Sequence, residues 1–85
     1  MEEIVIMKKL IKFGQPTCVP CNMLSNFLKD NEVEYVDVNV HEDAEIANKY
    51  GITSVPVLVL EVDGVVEEMV FGYNVPEIEG LLEKM

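Results

Sequence analysis

Apolar and polar positions alternate with two different periods along this chain, and the switches between them mark out seven elements. Ile4 to Phe13 is apolar-rich but broken by Lys8, Lys9 and Lys12. Its second half, Leu10 to Phe13, reads as a strand that stops at Gly14, and Gln15 to Thr17 as a loop. From Val19 to Asp30 the period lengthens, with Leu24, Phe27 and Leu28 at i, i+3 and i+4 on one helical face. Pro20 suits a first turn, which needs no backbone donor there, and Asp30-Asn31 reads as the stop. Glu34 to Val40, EYVDVNV, returns to period two, setting Val36, Val38 and Val40 against Tyr35, Asp37 and Asn39. His41 to Tyr50 reads as a short helix, with Glu42 and Asp43 in its first turn and Gly51 as its stop. Val57 to Val62 and Val65 to Phe71 read as strands joined by a two-residue hairpin turn, Asp63-Gly64. Asn74 to Pro76 opens a last helix that carries Ile78, Leu81 and Leu82 at helical spacing.

The order is βαβαββα. A strand–helix–strand unit implies a right-handed crossover and parallel pairing, and the Asp-Gly hairpin implies an antiparallel last pair. The expected architecture is α/β: a four-stranded mixed sheet with three helices packed on its two faces. Eighty-five residues without a repeat or linker make one domain, residues 1–85.

Composition narrows the classes. An apolar share of 49% fits a globular chain, while the longest apolar run, Val55 to Leu60, falls far short of the ~20 residues of a membrane span. Sixteen acidic against six basic side chains give a net charge of −10. Nucleic acid and anionic membranes would be repelled, and basic partners favoured. The opening MEEIVIMKKL lacks the apolar core and small-residue cleavage site of a secretory signal, so the cytoplasm is the expected location.

The chemistry concentrates in GQPTCVPCNML, Gly14 to Leu24, which holds both cysteines, Cys18 and Cys21. In Cys-X-X-Cys at a helix start, the first sulfur meets the orphan N–H groups and positive end of the helix, which stabilise a thiolate. The second sulfur, one turn on, can attack a mixed disulfide formed at the first, so the spacing suits thiol–disulfide exchange. Two alternatives stand beside this. A structural disulfide closing so small a ring constrains little of the unfolded chain. A structural zinc site wants four ligands, and the chain adds only one histidine, His41, which reads as an ordinary residue at a helix start.

With these elements in place the chain resembles the thioredoxin superfamily, nearest in size to its small thioredoxin-like and glutaredoxin-like members. IKFGQPTCVPC, Ile11 to Cys21, resembles the family's strand-plus-active-site segment. NKYGITSVPVLVLEVDGVV, Asn48 to Val66, resembles its second block, with KYGI, the proline of SVP and the hairpin DG. Gly72 matches a glycine after the last strand. The similarity runs from about Leu10 to the end, with the first strand and helix of full-length thioredoxins missing or reduced to Met1 to Met7.

The resemblance implies roles residue by residue. Cys18 is similar to the exposed nucleophile, Cys21 to the buried resolving thiol, and Pro56 to a cis-proline facing the cysteines that leaves the Val55 backbone free to pair with an extended substrate. Pro20 matches the proline of thioredoxin's own Cys-Gly-Pro-Cys, where glutaredoxins more often carry an aromatic. Val19 departs from the usual glycine and Thr17 from the usual tryptophan. The implied client surface comprises Thr17, Val19, Pro20, Val55, Pro56 and Gly72, with Tyr73 beside it. Thioredoxins also keep a buried aspartate before the active site and a lysine on the next strand. Here Lys12 stands at the aspartate's place and Asp37 at the lysine's, so the charges look exchanged. A buried charge needs a partner, and the expectation is a Lys12–Asp37 pair beneath Cys21 in which Asp37, directly or through water, accepts the proton of Cys21. The alternative leaves both ends in solvent, the lysine snorkelling.

The implied function is a protein-disulfide reductase of thioredoxin type. It binds no cofactor or metal, carries a redox-active disulfide, acts as a monomer on disulfide-bearing proteins such as ribonucleotide reductase or peroxide-removing enzymes, and is regenerated by a thioredoxin-reductase-type donor or by glutathione. A glutaredoxin using glutathione is the alternative. It would want a basic pocket, toward which the chain offers Lys12 and Lys49. A non-catalytic thioredoxin-fold binding module is the third reading, and Cys18→Ser would leave its role intact.

Overall fold

The structure, a computed structural model, describes residues 7–85. Its elements are β1 (Lys8–Gly14), α1 (Val19–Asp30), β2 (Val36–Asn39), α2 (Ala44–Lys49), β3 (Val57–Val62), β4 (Val65–Phe71) and α3 (Val75–Leu82). The expected reduction of an N-terminal strand and helix falls, apart from Met7, outside the described residues.

One four-stranded sheet runs in the order β2-β1-β3-β4. β1 is parallel to β2 and antiparallel to β3, and β3 is antiparallel to β4, so the sheet is mixed as its connections require. The two central strands, β1 and β3, are covered on both faces, which is why LIKF and VLVL lack a polar alternate position except at Lys12. On one face α1 and α3 press Leu24, Leu28, Ile78 and Leu81 onto Leu10, Leu58, Leu60 and Val70. On the other, α2 lays Ala47 over Ile11, Phe13, Val38, Val57 and Val59.

Three boundaries differ from the sequence expectation. β1 begins two residues earlier, because Lys8 and Lys9 pair with Val62 and Glu61 of β3 while their side chains stay in water. β2 is shorter than Glu34 to Val40. Among the described residues it is an edge strand that pairs only with Ile11 to Gly14, and Tyr35 leaves it to pack on the α1–α3 core. The second helix begins at Ala44 rather than His41. The Asn39 side chain takes the His41 N–H at 2.9 Å, and the Asn39 carbonyl takes those of Glu42 and Asp43 at 3.1 and 2.8 Å. That turn keeps Glu42 and Asp43 out of the helix.

Both α1 and α2 end in the same way. Val33 N–H donates to the Leu28 carbonyl and Glu32 N–H to Lys29; Ile52 donates to Ala47 and Gly51 to Asn48. This pair of bonds needs a left-handed residue just past the helix. Gly51 supplies it at φ 70°, whereas after α1 it is Glu32, at φ 55°.

Candidate functional site

The loop Gln15 to Thr17 carries the chain from β1 into α1, and Cys18 is the helix N-cap, with an extended backbone (φ −100°, ψ 111°). Its Sγ accepts the backbone N–H of Cys21 at 3.2 Å. Val19 and Pro20 occupy the first two helical positions, and no acidic side chain sits in the first turn. Sulfur therefore stands where a helix normally places a capping oxygen, free of a competing anion. Cys18 and Cys21 are joined as a disulfide, with Cα atoms 5.2 Å apart. Cys21 is wholly buried. Cys18 keeps 8% of its surface in water, so the expected exposed nucleophile is open only at a small window.

The Val55–Pro56 peptide bond is cis. The Pro56 ring is buried rather than part of an open surface, and the half-exposed Val55 precedes it. The Pro56 carbonyl accepts the Gly72 N–H at 2.8 Å, which ties the end of β4 to this loop. Thr17, Val19 and Pro20 are exposed and Gly72 half-exposed. The structure adds a residue that the sequence shows only as a strand end. Phe71 leaves 61% of its surface in water beside Gly72, comparable to Val19 at 69%. Its signal in the sequence is parity: Val70 faces the α1–α3 core, so Phe71 must face the other way, and there it is left exposed.

Lys12 and Asp37 meet. They are register partners across β1 and β2, and the Lys12 Nζ lies 3.2 Å from an Asp37 carboxylate oxygen. The two ends differ: the lysine side chain is 6% exposed and the aspartate 59%. The arrangement falls between the two expected ones, with a buried ammonium and a carboxylate at the surface. The aspartate stands in a cleft of about 550 Å³ between the polar flank of α1, with Asn22, Ser25 and Asn26, and the edge of the sheet, and Lys12 and Gly14 line its floor. His41, expected as an ordinary helix-start residue, instead pairs its Nε2 with the Gln15 Oε1 at 2.8 Å, joining the β2–α2 turn to the loop before Cys18.

Among the described residues no group of three or more His, Cys, Asp or Glu side chains is placed to hold a metal ion, and no helix is long and apolar enough to cross a membrane.

Comparison with known proteins agrees with this geometry. The family model described as Glutaredoxin matches residues 4–66. The chain is 35% identical over 78 residues to the SPbeta prophage-derived thioredoxin-like protein YosR of Bacillus subtilis, covering 91% of this chain and 98% of that protein. It is 33% identical over 76 residues to an uncharacterized glutaredoxin-like 8.6 kDa protein in the rubredoxin operon of Clostridium pasteurianum, covering 85% and 95%. The crystal structure of oxidized mitochondrial thioredoxin 3 from Saccharomyces cerevisiae superposes with a TM-score of 0.77 at 28% identity, over 92% of this chain and 78% of that one.

Proposed function

The chain belongs to the glutaredoxin family within the thioredoxin superfamily and is a thiol–disulfide oxidoreductase, and from that premise we propose that it is a protein-disulfide reductase of thioredoxin type, recharged by a donor protein. The observation that carries this reading is the N-cap sulfur: Cys18 accepts a helix N–H while Cys21 lies buried behind it. When reduced, Cys18 is the thiolate that the cap stabilises. It attacks one sulfur of a client disulfide, forming a Cys18–client disulfide and expelling the other client sulfur as a thiolate. Cys21 then loses its proton and attacks the Cys18 sulfur. The Cys18–Cys21 bond forms, the bond to the client breaks, and the client leaves with two thiols. A dithiol donor runs the same exchange in reverse to restore the reduced pair. Asp37, at the cleft mouth, accepts the Cys21 proton through water.

Clients meet the protein on the surface around Thr17, Val19, Pro20 and Gly72, widened by Phe71. The Val55 backbone pairs with the extended client segment, and the buried Pro56 holds that backbone in place. The reducing interior of a cell is where such a dithiol works.

Two features favour a protein donor over glutathione, whose carboxylates seek cations or free helix N–H groups. Lys12 is committed to Asp37. At the start of α3, near the Gly72 corner, Pro76 has no N–H, the Asn74 side chain takes that of Glu77 at 3.3 Å, and Glu77 adds a negative charge.

The test supplies the oxidised protein with NADPH and thioredoxin reductase, or with glutathione and glutathione reductase, and follows reduction of insulin. Turnover with the first system, at least tenfold faster than with the second, is expected. The reverse order would assign the protein to glutathione. Cys18→Ser should abolish turnover, and Cys21→Ser should accumulate a covalent client adduct. A protein that leaves insulin intact under both systems, and whose Cys18→Ser variant keeps its cellular role, would be a binding module instead.

A further inference from the structure

We propose that Lys12 acts on the resolving sulfur as a fixed positive charge, stabilising the Cys21 thiolate as it forms, and that Gly14 is a glycine because a side chain there would crowd both. The inference rests on the oxidoreductase reading above and assigns a charge within it.

The geometry centres on Gly14. A Cβ added there would lie 3.3 Å from the Cys21 Sγ, 3.3 Å from the Cys21 Cβ and 3.3 Å from the Lys12 Cε. The last methylene of the lysine and the resolving sulfur therefore converge on one point and lie within twice that distance of each other. At that distance a side chain would make the lysine stem or the sulfur give by a few tenths of an ångström. Lys12 and Gly14 share a face of β1, two residues apart, and that face lies under α1, which brings Cys21 down onto it. Bare backbone at position 14 is what lets the lysine stem and the sulfur converge on this point.

Chemistry explains why a cation belongs there. Cys21 has no exposed surface, so its thiolate is poorly solvated and is disfavoured unless a positive charge or donors compensate. The charged groups facing this space are Lys12 from β1, Asp37 from β2, Lys29 from α1, and Glu42 and Asp43 from the turn before α2. Asp37, Lys29, Glu42 and Asp43 are all exposed, and water weakens their fields. Lys12 alone is buried with the sulfur. Asp37 also anchors the ammonium at 3.2 Å from the solvent side, where its own charge is screened.

The charge serves both half-reactions. When Cys21 attacks, its S–H bond breaks, the proton passes to water in the cleft, and the sulfur keeps the electron pair that forms the bond to Cys18. When a donor attacks the Cys18 sulfur of the oxidised pair, Cys21 is the leaving group and departs as a thiolate. Lys12 stabilises negative charge on the same atom in each direction.

The test uses the Cys18→Ser protein, in which Cys21 is the one remaining thiol, and follows thiolate ultraviolet absorbance against pH. Adding Lys12→Met should raise the titration midpoint enough to cut the thiolate present at neutral pH about tenfold, as expected for losing one buried unit charge at this range. Lys12→Arg should restore most of it. Asp37→Asn should leave the midpoint unchanged or lower it. Gly14→Ala keeps the lysine but displaces it, and should raise the midpoint by a smaller amount; this arm decides the matter if the methionine variant loses its native circular dichroism. An unchanged or lowered midpoint in folded Lys12→Met, or in Gly14→Ala where the first does not fold, overturns the proposal. The readout is a thiol titration, so it stands apart from insulin reduction, on which the functional reading depends.

Discussion

Val19, next to Cys18, and Phe71, next to Gly72, are large apolar side chains left mostly in water. Scattered exposed apolar residues are ordinary, but Val19 directly follows Cys18, and Phe71 directly precedes Gly72, whose N–H the Pro56 carbonyl holds. Their exposure is explained if a client covers them. Val19→Asp and Phe71→Asp should each lower kcat/KM for a protein disulfide by roughly tenfold, the effect of losing a contact of about 1.4 kcal/mol. The loss should be smaller for a small aromatic disulfide, which covers less of the rim. Equal losses on both substrates would move the effect from docking to the sulfur itself. At this scale the cysteines and Pro56 were legible, because their chemistry is tied to residue type and spacing. Phe71 was not, because whether a strand residue is covered depends on which helix lies over it.

The elements show where local signals suffice. α1 is announced by its leucine spacing and Pro20, the hairpin by Asp63-Gly64, both of whose residues have positive φ as such a turn requires. The sequence pattern overextends α2 by three residues at its start, since no period reveals that Asn39 captures the N–H groups of His41, Glu42 and Asp43. α3 carries a glycine in its interior. Gly80 has an ordinary helical backbone, and a Cβ there would meet nothing within 4 Å. Gly80→Ala should therefore stabilise the protein by about 1 kcal/mol, the helix-propensity difference between the two. Denaturant unfolding checks it, as a higher midpoint at unchanged slope. A destabilised variant would mean that α3 has no free space at that position.

For the whole molecule the dominant quantity is charge. A net charge of −10 on 85 residues produces a field that reaches about 8 Å at physiological ionic strength and collapses to ~3 Å near 1 M salt. Association with a basic client or donor should be fast at low salt and slow as salt rises, so kcat/KM toward a basic protein disulfide should fall by roughly tenfold between dilute buffer and ~1 M salt. An acidic client of similar size should show the opposite slope. Equal slopes for the two would remove electrostatic steering from the account.

By itself the sequence determined the element order, the antiparallel hairpin, the dithiol at a helix start and the presence of two opposite charges on strands expected to be neighbours. Each is a local property, set by period, turn chemistry and residue type. Tertiary structure alone decided how those charges are placed. Register places Lys12 opposite Asp37, the lysine is buried while the aspartate stays in water, and the bare backbone of Gly14 leaves the lysine's last methylene and the Cys21 sulfur converging on one point. Burial is a property of what packs on top, and it shields one charge of the pair while solvent screens the other, the asymmetry on which the proposed role of Lys12 rests.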